Sequence, residues 1–199
     1  IDVKNLTENK NRIKGNNFGA SKIQSNFKNI SKYNFQKIKY FDQFEPKPIF
    51  IKNDLIFFDK KGSIIRFDDE SNIKWKVNYY SKKEKKLLPI LKLAKSEKNL
   101  LVTDNLAKIY LIDISNGNLI WKKDHNVFFI SQIKIDDNKF YVLDANNVLS
   151  CFSIVDGQLI WQFKGEKKLI NSQKQTSIVI DKDKVIFNNS KGEIIALDK

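Results

Sequence analysis

Three stretches of this chain end alike. Residues 116–121 read NGNLIW, residues 156–161 read DGQLIW, and a looser copy, SNIKW, occupies residues 71–75. They close on Trp75, Trp121 and Trp161, the three tryptophans of the whole protein, spaced 46 and 40 residues apart. Each follows an apolar segment that alternates with period two and ends near an Asp or Ser. A period of roughly 40 residues with strand-like content and a recurring Trp is the pattern of small antiparallel sheets repeated around an axis, the blades of a β-propeller.

Alignment on the tryptophans resolves four parts per unit. A short apolar run comes first, at 49–51, 90–93, 133–135 and 178–180. A turn rich in Asn, Asp and Lys follows, at 52–54, 95–99, 136–139 and 181–184; such residues tolerate the dihedrals of tight hairpins. The second strand is predicted at 55–58, 100–103, 140–143 and 185–187. A further turn leads to the third, at 64–68, 109–113, 149–153 and 194–198, whose closing positions lie 45, 40 and 45 residues apart. The last turn, best formed as SNG or VDG, opens the strand that carries the Trp. Four of only seven glycines, Gly62, Gly117, Gly157 and Gly192, fall at the two later turn positions, where Gly supplies a positive φ without steric cost. The alternation predicts one well-packed face per strand, and the Trp is expected to pack between blades.

The spacing predicts an all-β protein: four-stranded antiparallel blades in a partial ring of about three and a half to four. The blades run about 47–80, 88–125 and 131–165, with an incomplete one over 176–199. Phe35 lies 40 residues before Trp75, so residues 33–42 read as the last strand of a preceding blade or as a strand closing the ring. Residues 1–32, polar and rich in Asn and Lys, read as an irregular arm or linker, leaving 33–199 as the propeller domain. The surplus between Trp75 and Trp121 falls at SKKEKKLLP (81–89), a basic connection ending in Pro89 and expected to be a solvated loop. A chain that has no Met, starts at Ile1 and stops inside a repeat reads as a piece of a longer protein.

These residues resemble the pyrroloquinoline-quinone-type (PQQ-like) propeller repeat. The matching stretches are GSIIRFDDESNIKW (62–75), AKIYLIDISNGNLIW (107–121), NVLSCFSIVDGQLIW (147–161) and GEIIALDK (192–199), and the likeness covers about 47–199. Within that superfamily the chain is most similar to the BamB family of lipoprotein scaffolds in outer-membrane β-barrel assembly, on the strength of small blades without catalytic insertions. The resemblance implies a non-enzymatic scaffold on the periplasmic face of the bacterial outer membrane. It would bind protein partners, a β-barrel assembly component among them, through loops on one face, with any lipid anchor outside this sequence. The alternative within the same superfamily is a quinoprotein dehydrogenase. Those enzymes use a vicinal disulfide, a calcium ion held by Glu, Asn and Asp, a catalytic Asp and a Trp stacked on the cofactor.

The residues give no catalytic, cofactor-binding or metal site to set beside that fold. Cys151 is the single cysteine and cannot form a vicinal pair; inside VLSCFSI it reads as a core thiol. Asp68, Asp113 and Asp198 recur at one repeat position, so they read as turn residues spread around a ring, not as converging calcium ligands. His125, the only histidine, has no nucleophile motif beside it and cannot make a His-rich zinc site. Gly15 and Gly19 lie in the polar arm and form no phosphate cradle. The formal charge of +13 raises a nucleic-acid or anionic-surface reading. All of the 36 basic residues except Arg12 and Arg66 are lysine, however, whereas base and phosphate recognition favours the bidentate guanidinium. Nucleic acid is therefore not expected as a partner; a basic module meeting anionic polymers or lipids through its lysines is the further reading. No apolar run approaches the roughly 20 residues that span a bilayer.

Overall fold

β-Branched and aromatic residues fit a pleated, packed surface, and Asn, Asp, Lys and Gly interrupt them at turns. That punctuation sets the strands in the computed structural model, which describes residues 4–5, 23–24, 32–34, 47–165 and 176–199. A two-stranded ladder pairs β1 (Lys4–Asn5) with β2 (Ile23–Gln24), so part of the polar arm is paired. Tyr33 and Asn34 form no strand, and the remainder of 33–42 lies outside the described residues.

Four antiparallel sheets follow in chain order. The first holds β3 (Ile49–Ile51), β4 (Asp54–Phe58), β5 (Ile64–Phe67) and β6 (Ile73–Val77). The second holds β7 (Leu91–Lys95), β8 (Asn99–Asp104), β9 (Lys108–Asp113) and β10 (Leu119–Asp124). The third holds β11 (Lys134–Asp136), β12 (Lys139–Leu143), β13 (Val148–Ser153) and β14 (Leu159–Lys164). The fourth has three strands, β15 (Ile178–Asp181), β16 (Lys184–Asn188) and β17 (Ile194–Asp198). Every sheet is a meander whose neighbours in sequence are neighbours in space. First strands approach first strands across adjacent sheets, as β3 meets β7 and β11 meets β15. The sheets are therefore blades arranged around a common hub, with the Trp strands at the rim.

The core lies between blades. On β8, Leu100 and Val102 pack toward the first blade while Leu101 packs toward the third. On β9, Tyr110 and Ile112 face the first blade while Ile109 and Leu111 face the third. Both faces of the middle strands are thus dry, and this corrects the expectation of one packed and one looser face. A free-standing sheet has a wet side; a blade sandwiched between blades does not.

Each rim strand carries a β-bulge before its Trp. Ile120 has no cross-strand partner, since Leu119 pairs with Ile112 and Trp121 with Leu111. The same slip falls at Lys74 and Ile160. A bulge turns the next side chain out of the pleat's alternation, and here it swings the indole toward the following blade. Trp75 Nε1 donates to Ile114 O and Trp121 Nε1 to Ile154 O, both at 2.9 Å. Gly157 makes room for this contact, because a Cβ on it would lie 2.8 Å from Trp121 Cζ3.

A second device recurs at the turn between the second and third strands. Asp59, Asp104, Asp144 and Asn189 are all buried. In each, Oδ1 accepts from the backbone amides two and four residues on, such as Asn146 and Val148 for Asp144. Two otherwise orphaned turn amides are satisfied in every blade. In the aspartates the other oxygen is left to hold a neighbour, and in Asn189 the Nδ2 donates to Glu193 Oε2. Asp104 Oδ2 accepts from Tyr80 Oη, and Asp144 Oδ2 lies 3.5 Å from His125 Nε2. Tyr80 and His125 belong to the connections that enter the second and third blades, so each connection is pinned to the blade it leads into.

The connection at 81–89 is not a plain loop. It holds helix α1 (Lys82–Lys86), closed by a capping box in which Ser81 and Glu84 each bond the other's backbone amide. Glu84 also reaches Lys108 Nζ at 2.9 Å, which docks the helix on the second blade.

Candidate functional site

All turns after first and third strands lie on one face of the arc; the turns after second strands and the blade connections lie on the other. On the first face the turns brace each other. Ile114 N donates to Lys98 O and Ile154 N to Asn138 O. Between the second and third blades these braced turns leave a groove of about 900 Å³. Its floor is Leu111, Ile120, Ile135, Ile154 and Val155, and its rim is Ser96–Asn99 with Asp137 and Asn138. Trp121 Nε1 bonds the backbone oxygen of Ile154, one of these lining residues. Ile120 is brought there by the bulge and Val155 by the turn, and they remain 49% and 69% exposed.

The chemistry of this groove is that of a binding surface. It offers apolar area, backbone groups and a rim of mixed charge. Ile120 and Val155 expose apolar side chains along it. Among the described residues no cluster of three His, Cys, Asp or Glu is placed to hold a metal ion.

Residues singled out in the sequence fall into structural positions. Asp68 Oδ1 accepts from the amides of Glu70 and Asn72, and Asp113 Oδ1 from that of Ser115; Asp198 closes β17. The bonds from Ser115 hold the Asp113 carboxyl below its ordinary pKa. Cys151 is a free, fully buried thiol, and burial pushes its pKa up. His125 stacks on Phe129 with centroids 5.0 Å apart and faces Asp144. Arg66 forks between Asp54 and Ile114 O, at 2.7 Å to each, inside the contact between the first two blades. Burial pushes the Asp54 carboxyl up, but its bonds to Lys74 and Arg66 prevail and carry its pKa down. Gly62, Gly117, Gly157 and Gly192 all have positive φ.

The buried Asx residues and the groove were not anticipated. The former had a signal, since 59, 104, 144 and 189 repeat the 45, 40 and 45 spacing of the third-strand ends. The groove had none, because it depends on how neighbouring blades splay.

Four meandering sheets around a hub, with an inter-blade Trp, define the class: a PQQ-type β-propeller. The chain belongs to the family described as outer membrane protein assembly factor BamB, whose model matches residues 60–199. The crystal structure of BamB from Moraxella catarrhalis is similar in fold, with a TM-score of 0.64 at 15% identity over 76% of this chain. The computationally designed proteins Ika8 and Ika4 are also similar, with TM-scores of 0.62 and 0.61 at 13% and 11% identity over 76% and 84% of this chain. The chain spans 45% of the Moraxella BamB chain, 45% of Ika8 and 99% of Ika4. No curated protein matches it in sequence.

Proposed function

We propose that this chain is part of a non-enzymatic scaffold that binds protein partners through the groove between its second and third blades. The observation that carries the reading is the exposed apolar pair Ile120 and Val155 in the groove's apolar floor, held by a bulge and a braced turn. Rigid walls lower the cost of ordering on association, which suits a docking surface. Membership of the BamB family supports a protein partner in general. The finer reading places the protein on the periplasmic face of the outer membrane, docked on a component of β-barrel assembly.

The test is calorimetric titration of the chain against purified β-barrel assembly components. Binding is expected, and Ile120→Asp or Val155→Asp should weaken it at least about ten-fold, since truncating or charging a central apolar anchor costs about 2 kcal/mol or more. Unaltered affinity in both variants would remove the groove from the reading. Oxidation of alcohols or sugars by the protein supplied with quinone and calcium would replace it with the dehydrogenase alternative.

A further inference from the structure

The face opposite the groove carries a different chemistry. Lys60 and Lys61 stand in the turn after β4, and Lys82, Lys83, Lys85 and Lys86 on α1. The two groups are neighbours, because a Cβ on Gly62 would lie 2.6 Å from Tyr80 and 3.1 Å from Pro89, the residues flanking the helix. The carboxylates of this region are engaged. Glu84 is bonded to the Ser81 amide and to Lys108, Asp124 is paired with Lys108 at 2.7 Å, Asp59, Asp104 and Asp144 are buried, and Glu193 takes a bond from Asn189. What α1 presents to solvent is therefore ammonium groups, with Lys82, Lys83 and Lys86 exposed.

Two large apolar side chains project from the same face. Leu87, directly after the helix, is 62% exposed, and Phe128, in the connection to the third blade, is 47% exposed. Neither has a place in the core, although both lie in connections pinned to the blades by Tyr80 and His125. Apolar tips on a face that also carries the α1 lysines are poorly suited to water and well suited to a bilayer surface, where the chain enters the acyl boundary and the ammonium groups stay with the headgroups.

We infer that this face docks on an anionic lipid surface, with Lys82, Lys83 and Lys86 over the headgroups and Leu87 and Phe128 inserted between them. Lysine supplies point charge without the geometric demands of a guanidinium fork, and headgroups present diffuse charge without fixed geometry. The orientation would leave the groove facing away from the membrane. The inference rests on this face alone and does not require the groove to bind anything.

The experiment is co-sedimentation of the 199-residue chain with vesicles of phosphatidylcholine alone and of phosphatidylcholine mixed with phosphatidylglycerol. Binding is expected to the mixed vesicles only, weakening as salt is raised. At roughly five-fold per lysine near an anionic surface, the triple reversal Lys82→Glu, Lys83→Glu and Lys86→Glu should lower binding about a hundred-fold or more. The same charge change on the opposite face, Lys52→Glu, Lys182→Glu and Lys184→Glu, should lower it less than about ten-fold, as screening over a Debye length predicts. Leu87→Ser should weaken binding several-fold without changing the melting temperature. Equal binding to uncharged vesicles, or equal losses from the two triple reversals, would overturn the inference. Equal retention of the Leu87→Ser variant, together with equal binding to soluble polyglutamate, would also overturn it in favour of an acidic protein ligand.

Discussion

Replacing Gly157 by Ala tests how the blades are joined, and Gly192 supplies the control. Both residues have positive φ, 67° and 83°. Adding a Cβ in that region costs about 1–2 kcal/mol at either site. Their surroundings differ. At Gly192 a Cβ meets nothing within 4 Å; at Gly157 it meets Trp121 Cζ3 at 2.8 Å and Cε3 and Cη2 at 3.0 Å. The indole cannot simply withdraw, because Nε1 is bonded to Ile154 O and the ring stacks on Phe140. Overpacking a rigid contact of this kind costs about 1–3 kcal/mol more. Gly157→Ala should therefore destabilise by about 2–5 kcal/mol and Gly192→Ala by about 1–2 kcal/mol. Urea unfolding followed by Trp fluorescence measures both. In a Trp121→Leu background the excess at Gly157 should vanish, giving a coupling of about 1–3 kcal/mol. Equal losses at the two glycines, or no coupling to Trp121, would refute an inter-blade seat for the indole.

Other expectations follow from single contacts. Asp144→Ala should cost about 2–4 kcal/mol in denaturant unfolding, since it removes two bonds from the amides of Asn146 and Val148 to a charged carboxylate. Asp104→Asn should be neutral or stabilising, because Asn189 already fills the equivalent place in the fourth blade and burial raises the Asp104 carboxyl pKa. Ala107 takes φ 62° where two sister turns have Gly62 and Gly192, so Ala107→Gly should gain up to about 1 kcal/mol by thermal melting. Burial brings the Lys92 ammonium pKa from 10.5 down to about 8. The folded state thus binds fewer protons than the unfolded state between those values, and stability should rise with pH from about 8 toward 10. Burial raises the Tyr80 hydroxyl pKa from 10.0, so that contribution is lost above about pH 10, and a stability maximum is expected between the two. A flat profile from pH 7 to 10 would contradict the burial of Lys92.

The strands were legible because turn residues and Gly punctuate them at a fixed interval, and the tryptophans set the register. The double burial of β8 and β9 was not, since a run such as LLVTD reads alike whether one face or both are dry. The burial of the Asx residues was not legible either, because composition does not tell a buried turn side chain from a solvated one. Helix α1 was legible in principle: Ser81 and Glu84 have capping-box spacing, but a stretch so rich in Lys was read by charge alone. The groove lies between repeats, and a periodic sequence describes the repeat better than the space between its copies.

The tryptophan bonds make this arc a one-dimensional series of nearest-neighbour units, in which cooperativity is no greater than the weakest coupling. Two donors converge on Ile114 O, from Trp75 and from Arg66, whereas Trp121 alone reaches Ile154 O. The second coupling is thus the more easily parted, and it is the one whose outer side opens into the groove. A polypeptide wedged there would bridge the weak link and make neighbouring blades unfold as one. Occupancy would then be readable at a distance, as slowed amide exchange at residues 101–104 of β8 and in β12, positions that do not line the groove.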